Sequence, residues 1–174
     1  MRKLILLVIA LGSIGGFALA VAADDDGRKF RARLSGEQEV PPVDTETEGR
    51  AEVEFDWDYT KAEFTLEVED GTRVTQAHIH CAPKGENGPV VVFLAGFHDR
   101  GWDVDGRWIS DATFTDENIT NPACGDSLAA IAQSMADGMT YVNVHTLANR
   151  GGEVRGQLKA KRRHHRRHER RRHN

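Results

Sequence analysis

Three histidines with strand-like spacing are the residues best suited to chemistry in this sequence. His78 and His80 lie two positions apart in a predicted strand over residues 74–81, and His145 ends a second predicted strand over residues 141–145. Because side chains alternate between the two faces of a strand, all three histidines point away from the predicted core. Neutral imidazoles at i and i+2 can reach one ion, and a third from a neighbouring strand would complete a site suited to copper or zinc.

A structural interpretation of the same residues is equally open. His78, His80 and His145 would hydrogen-bond to loops, and three further polar side chains would complete a network on the sheet: Asn143, Glu153 and Arg155. Nothing in the sequence resembles a Ser-His-Asp set, a phosphate-binding loop or a dinucleotide fingerprint. The candidate chemistry therefore depends on the two histidine-bearing strands.

Short alternating segments predict the elements that would position these histidines. Apolar and charged residues alternate in three of them, as in half-buried antiparallel strands: residues 30–34, 51–55 and 64–68. Residues 58–61 suit a hairpin link, and Asp70-Gly71 and Asp105-Gly106 are turn signals. About eight such strands predict an all-β protein, a Greek-key antiparallel β-sandwich.

One segment departs from the period of a strand. Residues 127–139 are rich in helix formers, start after Asp126 and stop at Gly138. Their apolar side chains fall on one helical face: Leu128, Ile131, Ala132 and Met135. We expect one short helix packed across a sheet end, and a further short turn beginning at Thr115.

The amino terminus has the pattern of a secretory signal peptide. Residues 1–23 contain Arg2 and Lys3, an apolar run, and small residues before a short acidic linker at residues 24–29. Turn formers interrupt the apolar run early, so a stable membrane span in the mature chain is not expected. The sequence predicts a product that is secreted or held in the periplasm or cell envelope.

The two cysteines, Cys81 and Cys124, fit that destination. An even number of cysteines in an oxidising compartment predicts a disulfide, here joining the loop after the histidine strand to the loop before the helix. Two free thiols, or a thiolate metal ligand, are the alternatives.

Charge is distributed unevenly along the chain. The formal net charge is −4, but residues 24–158 carry −14 and residues 159–174 carry +8. An acidic body disfavours nucleic acid as a partner. The tail has almost no apolar residues, which predicts a disordered Arg/His-rich segment, either a solubilising extension, an arm for a protein or a polyanionic glycan, or a loose metal collector through its histidines.

Three separated motifs carry a family resemblance. LSGEQEVPPVDT at residues 34–45, AHIHC with NGPVVVFL, and YVNVHT with GGEVRGQL occur in that order within residues 30–158. Together they resemble the CHRD domain, the module repeated in chordin and found singly in many exported bacterial proteins. The resemblance implies an all-β extracellular module, immunoglobulin-like or superoxide-dismutase-like in its sandwich, and implies little about activity.

The HIH and VNVH segments are also similar in outline to the histidine strands of copper-zinc superoxide dismutase. That similarity implies a copper-dependent enzyme as the alternative to a binding module. The bridging histidine, the zinc loop and the loop arginine of that family have no clear counterpart, with His98 and Arg150 as loose candidates. The first expectation is therefore an exported binding module that holds a transition metal, and the second is a dismutase-like enzyme. A third is an adhesion or interaction domain that binds a protein or glycan partner through its acidic faces and its basic arm.

Overall fold

The computed structural model describes residues 27–161. The expected signal peptide and nearly all of the basic tail lie outside these residues. Eight strands and one α-helix occur in the described part: β1 (Lys29–Ser35), β2 (Glu48–Phe55), β3 (Ala62–Cys81), β4 (Val90–Ala95), β5 (Trp102–Phe114), α1 (Leu128–Ala136), β6 (Thr140–Thr146), β7 (Val154–Gln157) and β8 (Lys159–Ala160). The all-β prediction with one short helix is confirmed.

All strand pairs are antiparallel and join into one eight-stranded sheet. Its order is β2-β1-β7-β6-β3-β4, with β5 paired to β3, β8 paired to β1, and a further pairing between β2 and β3. That last pairing closes a ring of five strands, β1-β2-β3-β6-β7. The predicted hairpin link at residues 58–61 is confirmed, since Phe55 and Ala62 pair across it.

The two turn signals at Asp70-Gly71 and Asp105-Gly106 were wrongly interpreted, because both lie inside long strands. β3 runs through Asp70, and β5 runs through Gly106. The irregularities face each other, with Gly71 opposite Val104 and register shifts on either side. Asp70 (φ 54°) and Gly106 (φ 113°) take the left-handed backbone at these bulges. A local turn signal can mark a bulge that bends a strand as well as a hairpin that ends it.

The length of β3 decides where the histidines lie. Its first half pairs with β2 and β5, and its second half pairs with β4 and β6. The segment that carries His78 and His80 therefore lies directly beside the strand that carries His145. The single strand β3 thus runs from the part of the sheet formed with β2 and β5 to the part that carries the histidines.

Alternating apolar side chains fill the interior as predicted. Fully buried residues come from every long strand and from the helix, for example Phe30, Val53, Leu66, Ile79 and Val142. The four predicted core residues of the helix are all buried, and Ser127 caps its start through a hydrogen bond from Ala130 N. No helix within residues 27–161 is long and apolar enough to cross a membrane.

The predicted disulfide is present. Cys81 at the end of β3 bonds to Cys124, with an S–S distance of 2.02 Å and a Cα–Cα distance of 5.6 Å. It connects the histidine strand to the turn Pro122–Cys124 that leads into α1. The bond closes a loop of 43 residues.

The boundary of the tail needs a correction. Lys159 and Ala160, expected as its first residues, form β8 and pair with Arg31 and Phe30. Lys161 N also donates to Lys29 O at 2.8 Å. The free edge of β1 offers backbone groups to any segment that follows β7, so main-chain pairing extends the sheet irrespective of side-chain polarity.

Candidate metal centre

The three histidines converge on one point between β3 and β6. His78 is paired with Asn143, and Gln76 with His145, so His78 and His145 are diagonal neighbours on the same face. His78 Nδ1 lies 3.0 Å from His145 Nε2. His80 lies two residues along β3, and ligand atoms from the three rings all fall within 4.8 Å of one another. No other group of three or more possible metal ligands occurs within residues 27–161.

The face that carries the histidines is covered, although alternation alone predicted an outward-facing surface. His78 and His145 are only 4% and 6% exposed, and His80 is partly buried. Every residue of β6 is buried, on both faces. Loop segments around Glu39, Gly88 and Arg150 lie over this side of the sheet, as their hydrogen bonds to it show.

Loop carbonyls fix the protonation of two rings. His80 Nδ1 lies 2.9 Å from Gly88 O, and His145 Nδ1 lies 2.9 Å from Arg150 O. A carbonyl oxygen can only accept, so both Nδ1 atoms carry hydrogen and both Nε2 atoms expose a lone pair. This arrangement is the one by which proteins orient metal-binding imidazoles.

The third ring completes a chain of donors and acceptors. Because His145 Nε2 is an acceptor, His78 Nδ1 must donate to it, which leaves His78 Nε2 without hydrogen. His78 Nε2 and His80 Nε2 are both buried and have no hydrogen-bond partner within residues 27–161. Buried acceptors without partners are costly, and of these two atoms His80 Nε2 is the one that a metal ion could bind without a change of tautomer.

The electrostatic environment keeps the imidazoles neutral. Burial lowers the pKa of His78 to about 3, with the neighbouring His145 and His80 adding to the effect. Burial also lowers the pKa values of His80 and His145, against the opposing hydrogen bonds to Gly88 and Arg150. Neutral imidazole is the form that binds a metal.

Aromatic and cationic side chains hold the rings in place. Tyr141 stacks on His80, with ring centroids 4.8 Å apart and an interplanar angle of 9°. The Arg155 guanidinium carbon lies 3.5 Å from the centre of the Tyr141 ring. Phe93 contacts His78 edge to face at 4.5 Å. The roles of Tyr141 and Phe93 could not be predicted from the sequence, since nothing in their spacing distinguishes a residue that supports a ring from a core residue.

The polar residues expected around the histidines make well-defined contacts. Asn143 Nδ2 donates to Glu39 Oε1 at 2.6 Å. Arg155 donates to Asn87 Oδ1 at 3.0 Å and to Glu86 O at 2.6 Å, so it holds the loop that also presents the Gly88 carbonyl. The loop-binding interpretation and the metal interpretation are therefore compatible at His80 and His145, because the loop carbonyls contact Nδ1 and leave Nε2 for a metal.

Two buried carboxyl groups flank this region. Burial raises the pKa of Glu39 to about 7, although the Arg155 charge opposes the rise. Burial would also raise the pKa of Glu153, but hydrogen bonds from Thr45, Asn149 and Thr146 outweigh it, and that pKa is lowered. The burial of Glu39 comes from the crossing of its loop over the sheet, which no local sequence pattern encodes.

The two loose dismutase candidates do not place their side chains in the histidine group. His98 stacks on Trp102 with ring centroids 4.0 Å apart and does not belong to the histidine group. Arg150 contributes its backbone carbonyl to His145, while its side chain is exposed. Neither side chain therefore adds a ligand to the centre.

The geometry fits a metal ion after a small adjustment. Nitrogen ligands at about 2.0–2.1 Å from one ion are about 3.5 Å apart in tetrahedral or trigonal coordination. The distance between His78 Nδ1 and His145 Nε2, now 3.0 Å, would increase slightly. The largest distance between ligand atoms, now 4.8 Å, would decrease by about 1 Å. Because His78 faces His145 with Nδ1, this nitrogen would be its ligand atom, and its hydrogen would have to move to Nε2. Three protein ligands leave a fourth position open.

Comparison with known families agrees with the motifs. The family described as the CHRD domain matches residues 30–158, a range that includes β2 to β7 in full and β1 except for its first residue, while β8 lies just beyond it. Searches of curated proteins and of solved structures gave no match. The matched range covers about three quarters of the sequence, and the chain therefore belongs to the CHRD domain family.

Proposed function

We propose that this protein is an exported binding module that holds one transition-metal ion, copper or zinc, through His78, His80 and His145. CHRD domains are extracellular modules, and the family assignment indicates a binding role. The disulfide between Cys81 and Cys124 suits an oxidising compartment. Secretion itself rests on the signal-like pattern of residues 1–23.

The observation that carries the metal proposal is the combination of convergence and orientation. Ligand atoms of three imidazoles, two buried and one partly buried, gather within 4.8 Å, and two of the rings have Nδ1 held by loop carbonyls, so that their Nε2 lone pairs remain for a metal. The buried Nε2 of His80 has no hydrogen-bond partner within residues 27–161, and a metal ion would supply one. Imidazole ligands suit zinc and copper better than calcium or magnesium.

Calorimetric titration with copper and zinc tests this proposal. The four tail histidines should first be replaced by alanine in the full chain, because they are an independent source of binding: His164, His165, His168 and His173. We expect one ion per chain, lost in His78→Ala/His80→Ala and retained in His98→Ala. Equal binding by all three proteins would contradict the proposal.

A dismutase-like copper enzyme is the second candidate. The open fourth position left by a three-histidine set favours it, since catalytic sites keep such a position for a reactant. The burial of His78 and His145, and a ligand group that does not include His98, argue for binding over turnover. Superoxide dismutation by the copper-loaded protein, lost in His80→Ala, would favour the enzyme, and an inactive loaded protein would favour the binding module.

A further inference from the structure

A basic groove lies on the outer face of the sheet, away from the histidine centre. Its volume is about 740 Å³, and its walls come from β1, β2, β3, β5, β7 and β8. Five cationic side chains line it: Arg31, Arg33, Arg50, Arg107 and Lys159. Only two acidic residues, Glu52 and Glu67, share the lining. This is unusual in a body whose residues 27–161 carry 14 basic and 23 acidic side chains.

Strand register places three of the arginines in a row. Arg33 on β1 is directly opposite Arg50 on β2, Arg50 is opposite Glu67 on β3, and Glu67 is opposite Arg107 on β5. Adjacent strands are about 4.8 Å apart, so the row extends about 14 Å across the sheet. A second row places Lys159 opposite Arg31 and Arg31 opposite Glu52.

The groove contains more positive charge than its own acids neutralise. Glu52 pairs with Arg31 at 2.9 Å and Glu67 with Arg107 at 3.5 Å, while Arg50 reaches Glu69 only at 3.9 Å. Within residues 27–161, Arg33 and Lys159 form no ion pair. Like charges directly opposite on neighbouring strands destabilise a sheet, and Arg33 and Arg50 are such a pair.

We propose that this groove binds a linear anionic polysaccharide whose carboxylate or sulfate groups pair with Arg33, Arg50 and Lys159. Guanidinium groups form two parallel hydrogen bonds with planar or tetrahedral oxyanions, which suits both kinds of group. The bound anions would remove the repulsion between Arg33 and Arg50. The site is independent of the histidine centre and of any metal.

The lining distinguishes a polysaccharide from other polyanions. It contains no aromatic side chain, whereas single-stranded nucleic acids are held by stacking on aromatic rings. Ala32 and Ala51 are the only apolar residues in the lining, too small to act as anchors of a protein interface.

Affinity measurements with defined polymers test the groove. The full-length protein is titrated with polygalacturonate for carboxylate, dextran sulfate for sulfate, and neutral dextran. The variant Arg33→Gln/Arg50→Gln is compared with Lys84→Gln/Arg100→Gln, which removes the same charge from exposed positions outside the groove. We expect at least tenfold weaker binding of one or both anionic polymers for the first variant and less than twofold for the second.

The two variants distinguish binding in the groove from non-specific attraction to positive charge anywhere on the surface. Equal weakening by the two variants, or no weakening by Arg33→Gln/Arg50→Gln, would overturn the proposal. Thermal unfolding without polymer gives a second readout: removing a like-charge pair should leave the melting temperature unchanged or raise it. A melting temperature lowered by the groove variant would mean that the arginines serve the fold.

Discussion

His78 Nδ1 and His145 Nε2 lie 3.0 Å apart across the pairing of β3 and β6. The contact depends on hydrogen bonds to two separate loops, because Arg150 O orients His145 and leaves its Nε2 as an acceptor. His80, oriented by Gly88 O, presents a second bare Nε2. The backbone carbonyls thus determine which ring nitrogens are available.

Ring tautomers give a first prediction. In the metal-free protein at neutral pH, long-range proton-nitrogen NMR should find hydrogen on Nδ1 of His80, His145 and His78. Zinc should move the His78 hydrogen to Nε2 and leave the other two unchanged, because loop carbonyls hold them. Hydrogen on Nε2 of His80 or His145 in the metal-free protein would contradict the geometry.

Glu39 gives a prediction about pH. Its pKa rises from 4.5 unfolded to about 7 folded, so its contribution to stability is complete below about pH 4.5 and is lost as pH rises through 7. Glu39→Gln, which mimics the protonated form, should therefore be more stable than the wild type at pH 8, by about 2 to 3 kcal/mol.

Denaturant unfolding across pH 4.5–8 measures this difference. Glu37→Gln is the matched control, because Glu37 is exposed two residues away. Other titrating groups contribute equally to both proteins and cancel. A difference between Glu39→Gln and wild type that stays constant over this pH range would show that Glu39 does not titrate there.

The disulfide gives a prediction about stability. Releasing a closed loop of 43 residues should cost about 4 kcal/mol in Cys81→Ala/Cys124→Ala, less any strain that is relieved. The expected fall in melting temperature is roughly 10 to 15 °C. Reductant should lower the wild-type melting temperature similarly and leave the variant unchanged. A loss below about 1 kcal/mol would show that the bond does not stabilise the domain.

The basic tail gives a prediction separate from the groove. Deleting residues 162–174 removes a net charge of +6 and leaves β8 intact. If the groove is the binding site, the deletion should slow association with dextran sulfate several-fold through weaker electrostatic steering, and saturable binding should persist. Surface plasmon resonance measures the association and dissociation rates separately. Complete loss of binding after the deletion would assign the polyanion site to the tail.

Local pattern predicted a good part of this molecule. The i, i+2 spacing of His78 and His80 determines that they share a face, and the helix and its buried face follow from composition and period. The pairing of cysteines followed from an even count. Family motifs extended these inferences to the whole domain.

The remainder depends on contacts between distant segments. The proximity of His145 to His78 requires β3 and β6 to be neighbours, and no local signal encodes strand order. The burial of the histidine face comes from crossing loops, whose positions are set by Glu39 and Arg155. Asp70-Gly71 and Asp105-Gly106 were assigned as turns because a bulge uses the same residue types as a turn.

X-ray absorption at the metal edge tests the central claim most directly. The full chain with its four tail histidines replaced by alanine is loaded with one equivalent of zinc, and ligands are counted. The account predicts three imidazole nitrogens at about 2.0–2.1 Å, falling to two in His145→Ala. An unchanged zinc environment in His145→Ala, or coordination by oxygen atoms alone, would contradict the assignment of the metal to His78, His80 and His145.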